Sequence, residues 1–133
     1  QIGFGRAGFY SYDLLDNLGR PSTDRILPEW QTLEIGAIAA PMTGRPNERN
    51  SFRVAGFEVD RWLLWAKPNS TWAWRLDPAE GGTRLVVRLK ATDQFPWALL
   101  SAPLMEVADF PMMRSQLLGI KARAEKAAQE GTA

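Results

Sequence analysis

Thr71-Trp72-Ala73-Trp74-Arg75-Leu76 and, one loop later, Thr83-Arg84-Leu85-Val86-Val87-Arg88-Leu89-Lys90 are the stretches that decide the fold. In both, large apolar side chains alternate with small or charged ones, the period of a strand whose two faces meet different surroundings. Trp72, Trp74, Leu76, Leu85, Val87 and Leu89 fall on one face, and Arg75, Arg84, Arg88 and Lys90 on the other. The pattern predicts an antiparallel meander with one wet face, in which Trp74, Leu85 and Val87 are buried while Arg75, Arg84 and Arg88 meet water.

Upstream, Arg61-Trp62-Leu63-Leu64-Trp65-Ala66 reads as a further strand, joined to Thr71 by the turn Lys67-Pro68-Asn69-Ser70. Residues 51–59 alternate as far as Gly56, and a glycine inside a strand pattern marks a bulge or kink. Residues 33–38 have the composition of a short edge strand. Residues 20–29, broken by Pro21 and Pro28, read as a loop, and residues 11–19 as a short helix capped by Ser11 or Asp13 and stopped by Gly19. Downstream the period changes. Phe110, Met113, Leu117, Ile120, Ala124 and Ala127 recur at intervals of three and four, the stripe of an amphipathic helix from about Asp109 to Gln129, with Arg114, Lys121, Arg123, Glu125 and Lys126 on its solvated side. Leu117 and Ile120 are expected in the core. An apolar sheet face and an apolar helix stripe bury each other most simply when a curved antiparallel sheet wraps around the long C-terminal helix, an α+β architecture.

The composition removes whole classes of chemistry. With neither cysteine nor histidine in 133 residues, the chain can build no disulfide, thiolate or imidazole metal site, thiol nucleophile or Ser-His-Asp triad. Sixteen Lys and Arg against fifteen Asp and Glu leave a net charge of +1, which is no field for nucleic acid or an anionic membrane. The longest apolar-rich stretch, residues 95–107, is cut by Pro96, Ser101, Pro103 and Glu106 and falls short of the ~20 residues that cross a bilayer. Residues 1–6 show no basic region followed by an apolar run, and a cytoplasmic location is expected. The partners expected are therefore neither nucleic acid nor a membrane interior, and no cofactor is implied. One unit spanning 1–133 is expected, since no repeat, linker or low-complexity tract interrupts the chain.

Gly3-Phe4-Gly5-Arg6-Ala7-Gly8 matches G-x-G-x-x-G by letter, but no helix opens on its last glycine and no βαβ unit follows. It reads as a glycine-lined turn. Arg6, among Phe4, Phe9 and Tyr10, either stacks on a ring and pairs with a carboxylate such as Asp13 or Asp16, or points at an anionic group of a ligand. Four of the six tryptophans, Trp62, Trp65, Trp72 and Trp74, fall within thirteen residues on strands, and large rings around a few polar groups are what small-molecule sites are lined with. Trp62 and Trp65 lie on opposite faces of their strand, so at most one joins Trp72 and Trp74. Glu58 is the best single acid or base if the bulge turns it inward; the simpler reading pairs it with Arg61 on the surface.

Residues 1–13, the Trp72-x-Trp74 strand, Thr83-Arg84-Leu85-Val86-Val87-Arg88, and the ending Met113-x-x-x-Leu117-Leu118-Gly119-Ile120-Lys121-Ala122-Arg123-Ala124-Glu125 together resemble the uncharacterised bacterial branch of the SRPBCC superfamily. That superfamily includes START domains, birch-pollen-allergen-like proteins and polyketide cyclase/dehydrase-like proteins. The resemblance covers nearly the whole chain and implies a helix-grip fold with a cavity between sheet and C-terminal helix. It also implies a first strand and the start of a first helix upstream of Gln1. The expected function is binding of a small hydrophobic or amphipathic ligand, with Trp72, Trp74, Phe57, Arg6, Tyr10, Met113 and Leu117 as the candidate binding residues. The alternatives are a cyclase or dehydratase acting on a hydrophobic substrate in the same cavity, its catalytic residues open, and a protein-interaction module docking through residues 95–107.

Overall fold

The computed structural model describes residues 1–41, 45–92 and 98–131, with side chains in the last stretch from Phe110 onward. The chain divides into two compact units, one of Gln1–Gln31 with Gln94–Ala133 and the other of Thr32–Asp93. The fold class is α+β: one curved antiparallel sheet and one long C-terminal helix.

The second unit is the sheet. Its strands β1 (Ile38–Pro41), β2 (Ser51–Glu58), β3 (Trp62–Lys67), β4 (Ser70–Ala79) and β5 (Gly82–Ala91) pair in chain order, each antiparallel to the next. Turns hold the register. Pro68 and Asn69 join β3 to β4 with Lys67 opposite Ser70, and Glu80 with Gly81 (φ 74°) joins β4 to β5 with Ala79 opposite Gly82. Both are two-residue hairpins, the second using the left-handed conformation that glycine adopts freely. The strands run further into the 77–82 segment than its loop-like composition suggests. Pro78 faces Thr83 one rung before the turn-flanking pair, where no ladder bond is exchanged between the two strands, and β3 ends opposite Arg75, so the missing N–H of Pro78 is never needed.

The expected faces are present. Trp72 and Trp74 are buried, Leu85 and Val87 half-buried, and Arg75, Arg84 and Arg88 exposed. Leu76 and Leu89, assigned to the same face as Trp74, are exposed near the two ends of the β4–β5 ribbon. In β2 the register slips between Val54 and Gly56, leaving Ala55 as the extra residue of a bulge. The slip has a use: Val54 faces Trp65 and Phe57 faces Leu63, so both lie on the tryptophan face although they are three positions apart. The edge strand begins later than residues 33–38 suggest. Gly36 takes a φ of 84° and ends any extended run there, and Ile35 is exposed.

The first unit joins both ends of the chain. The helix α1 (Asp13–Asp16) is one turn long, with Tyr12 at its N-cap and no side-chain cap, because the Asp13 carboxylate instead accepts from the backbone N–H (2.9 Å) and hydroxyl of Ser22. A short 3-10 turn follows at Pro28–Trp30. The long helix α2 spans Ala98–Gly131, starting well before the expected Asp109. Pro103 and Pro111 read as breakers, yet Ala98, Leu99, Leu100, Ala102, Leu104, Met105 and Ala108 are strong helix formers, and the helix continues past both prolines.

The face of α2 that packs within this unit is rotated from the expected stripe. Phe110 is 71% exposed and Ala124 is exposed; Met113, Leu117 and Ile120 are half-buried rather than core; among the described side chains of α2 the buried one is Gln116. Contacts with the N-terminal stretch explain the shift. The Ser11 hydroxyl donates to the Met112 carbonyl (2.9 Å), Arg123 Nε donates to the Thr23 carbonyl (2.7 Å), and Lys126 pairs with Asp24 (3.3 Å). Arg123 and Lys126, assigned to the solvated side, are in fact the tethers. A Cβ on Gly119 would stand 2.7 Å from the Tyr10 carbonyl oxygen, so glycine there lets the two backbones touch.

Candidate functional site

The sheet places its aromatic residues by register. With the β3–β4 turn centred on Pro68 and Asn69, Trp65 must face Trp72, and Trp74 follows one rung pair along on the same side. The rings meet: centroids are 5.4 Å apart for Trp65 and Trp72, 5.5 Å for Trp65 and Trp74, and 4.9 Å for Trp72 and Trp74, and Phe52 lies 5.5 Å from Trp72. Trp65 with Trp72 stand nearly edge to face (85°), an arrangement that aligns the positive edge of one ring with the negative face of the other. All four residues are buried. Phe57, half-buried, pairs with Leu63, which in turn faces Trp74, so it extends the same aromatic face.

The polar chemistry of this face is one-sided. The indole N–H groups of Trp65, Trp72 and Trp74 are closed to solvent and have no hydrogen-bond partner among the described residues. A buried donor left unmade costs on the order of 1–3 kcal/mol, and the face of a neighbouring ring is a weak acceptor. Lys67, two residues beyond Trp65, sits over the Phe52 ring with its ammonium 5.0 Å from the centroid. It is half-buried and forms no ion pair among the described residues.

Trp62 takes the opposite face. It is 41% exposed, lies across Gly56, and donates its indole N–H to Glu58 (3.1 Å). Glu58 points outward with it and pairs with Arg61 at 2.9 Å, whose hydrogen bond holds the carboxyl below the usual range. The inward acid or base considered for Glu58 is therefore absent. On this side a groove of about 360 Å³ is lined by Asp60, Arg61, Trp62, Arg75, Asp77 and Thr83, but two of its cations are matched, Arg61 by Glu58 and Arg75 by Asp77 (2.8 Å).

The remaining expected residues lie in the first unit. Gly3 to Gly8 close a turn on themselves, with the Gly3 N–H donating to the Gly8 carbonyl (3.0 Å) and the Arg6 N–H to the Gly3 carbonyl (3.2 Å). Arg6 stacks on Trp30 with its guanidinium 4.2 Å from the ring, the ring-stacking alternative, though on a partner other than Phe4, Phe9 or Tyr10. Tyr10 is buried at a φ of 59° beneath the Arg123 guanidinium, 4.0 Å from its ring, and its hydroxyl meets the Gln1 side-chain amide. Met113 and Leu117 lie half-buried on α2. Trp72, Trp74 and Phe57 are thus brought together in one unit, and Arg6, Tyr10, Met113 and Leu117 belong to the other. Trp65, Phe52 and Lys67 join the first set. The signal for Trp65 and Lys67 was in the sequence, because a two-residue turn at Pro68-Asn69 already dictates that 65 faces 72 and that 67 shares its face.

Residues 95–107, the expected docking loop, lie outside the residues whose side chains are described, and the backbone from Ala98 is helical. Among the described residues no helix is long and apolar enough to cross a membrane, and no three acidic side chains gather as metal ligands would. Comparisons with protein-family models, curated proteins and solved structures give no match.

Proposed function

We propose that this chain binds a small hydrophobic or amphipathic molecule on the tryptophan face of its sheet, and that it is a helix-grip protein of the SRPBCC kind. The observation that carries the reading is the cluster of three indoles and a phenyl ring on one side of an antiparallel meander. Filling a sheet face calls for aliphatic side chains as readily as for rings. Rings add flat, polarisable area with donor edges, which suits a face that takes up a guest. The order of elements, an antiparallel meander followed by a long C-terminal helix, supports the superfamily assignment.

Intrinsic tryptophan fluorescence titrated with naphthalene or a longer apolar compound tests it. A saturable change in emission is expected, diminished by Trp74→Phe and retained by Trp62→Phe. No saturable change, or one lost only in Trp62→Phe, removes the tryptophan face as the site, and the second result moves the ligand to the charged groove around Arg75.

A second reading has its own observation. Leu14, Leu15 and Leu18, around the single turn of α1, are 80%, 69% and 69% exposed, more apolar surface than one turn ordinarily shows to water and the kind that protein contacts cover. Retention of the chain as a monomer at all concentrations, with no partner captured through this turn, counts against an interaction module.

A further inference from the structure

We infer that the ligand of the tryptophan face is an apolar carboxylate, its oxygens accepting from the indole N–H groups and its charge meeting Lys67. The inference rests on the reading above that this face binds an apolar or amphipathic guest. Three donors, on Trp65, Trp72 and Trp74, belong to side chains more than nine-tenths buried and have no acceptor among the described residues. Their rings all lie within 5.5 Å of one another, centroid to centroid, so the three donors belong to one aromatic cluster. An indole nitrogen donates and cannot accept, so what completes it must bring a lone pair. Because the three atoms are closed to solvent, only a group that enters among the rings reaches them.

The sign of the guest follows from the charges on this face. Lys67 shares the face with Trp65, and its ammonium lies over the Phe52 ring, which itself touches Trp72. Among the described residues of the strands, no Asp or Glu stands on this face, and Glu58 and Asp77, on the other one, are engaged by Arg61 and Arg75. Uncharged N–H donors beside an ammonium with no carboxylate partner favour an anion over a neutral carbonyl, and repel a cation. A carboxylate offers two oxygens and about four lone-pair positions, enough for several donors at once, and charge-assisted bonds of this type are the stronger kind.

Three probes with one ring system separate the possibilities: naphthalene, which has no acceptor, 2-acetylnaphthalene, which has a neutral carbonyl, and 2-naphthoate. In the intact protein 2-naphthoate is expected to bind at least ~10-fold more tightly than naphthalene, the factor that one charge-assisted hydrogen bond supplies. Trp72→Phe, which keeps a ring and removes one donor, is expected to reduce that preference, and Lys67→Met to abolish the margin of 2-naphthoate over 2-acetylnaphthalene. Indole resonances in 15N–1H spectra, assigned with the Trp→Phe variants, supply a readout independent of affinity: those of Trp65, Trp72 and Trp74 move downfield with 2-naphthoate, and that of Trp62 does not. If naphthalene binds as tightly as 2-naphthoate, or the three indole resonances stay in place, the carboxylate inference is overturned while apolar binding stands. If no probe binds, both fall.

Discussion

Gly119 shows how one missing methyl sets a packing distance. In an exposed stretch of helix, glycine to alanine gains about 1 kcal/mol from backbone entropy. Here the new Cβ would be 2.7 Å from the Tyr10 carbonyl oxygen, and Tyr10, already at a φ of 59° beneath Arg123, has little room to retreat. Gly119→Ala is therefore expected to destabilise by about 1–3 kcal/mol, the usual range for forced overpacking, read as a lower denaturant midpoint at unchanged slope. A stabilised variant would show that the contact is loose. Asp16 makes a second case. Burial, and next the charge of Asp13, raise its pKa. Both carboxylate oxygens are closed to solvent and without a partner among the described residues. A folded-state pKa above the unfolded one means that the folded chain binds the proton more tightly. This contribution to stability is present at low pH and lost as pH rises from the ordinary aspartate value to the raised one. Asp16→Asn is expected to remove that decline and to be more stable than the parent at pH 7. There is no histidine, and the Gln1 α-amino group, whose pKa burial and the charge of Arg6 lower to about 6, titrates in both parent and variant and cancels in their comparison.

The bulge in β2 decides which side of the sheet each later residue of that strand occupies. A Cβ at position 56 would stand 3.1 Å from the Trp62 ring, so Gly56→Val favours a plain strand without the bulge, in which position 56 follows Val54 onto the aromatic face and Phe57 turns to the exposed one. Loss of a half-buried phenyl ring from that face is expected to lower stability and to shift tryptophan emission to the red. An unchanged emission maximum would mean that the bulge persists and keeps Phe57 in place. The bulge was readable because glycine interrupts an alternation, and the β3–β4 pairing because Pro-Asn marks a two-residue turn. The helix was less legible. Its start at Ala98 was hidden by Pro96, Pro103 and Pro111, whose local signal is to stop a helix, and its packed face was hidden because an arginine that donates to a backbone carbonyl looks in sequence like any solvated arginine.

The two units differ in how far apart in sequence their contacts lie. In the sheet every pairing joins neighbours in the chain, so loops of only a few residues close at each step from β2 to β5. In the other unit, Ser11 bonds to Met112 and Thr23 to Arg123, residues separated by 101 and 100 positions. Closing so long a loop costs more entropy before any contact forms, and local hairpins precede it. Pulse-labelled hydrogen exchange during refolding is expected to protect amides of β3, β4 and β5 before the Thr23 amide, which bonds to the Ala7 carbonyl (2.9 Å). Arg123→Ala is expected to speed exchange at Thr23. Simultaneous protection throughout would show that the chain ends meet as early as the hairpins. Sequence by itself determined the meander from β2 to β5, the two faces of the β4–β5 ribbon and the existence of a C-terminal helix, because alternation and turn residues act over a few positions. It also excluded thiol and imidazole chemistry outright. Only the tertiary structure decided that Phe52, with Lys67 over its ring, gathers with Trp72, that Glu58 turns outward, and that Arg6 and Tyr10 are held by Trp30 and Arg123. Those outcomes depend on which distant groups come within a few ångströms, and no local period encodes that distance.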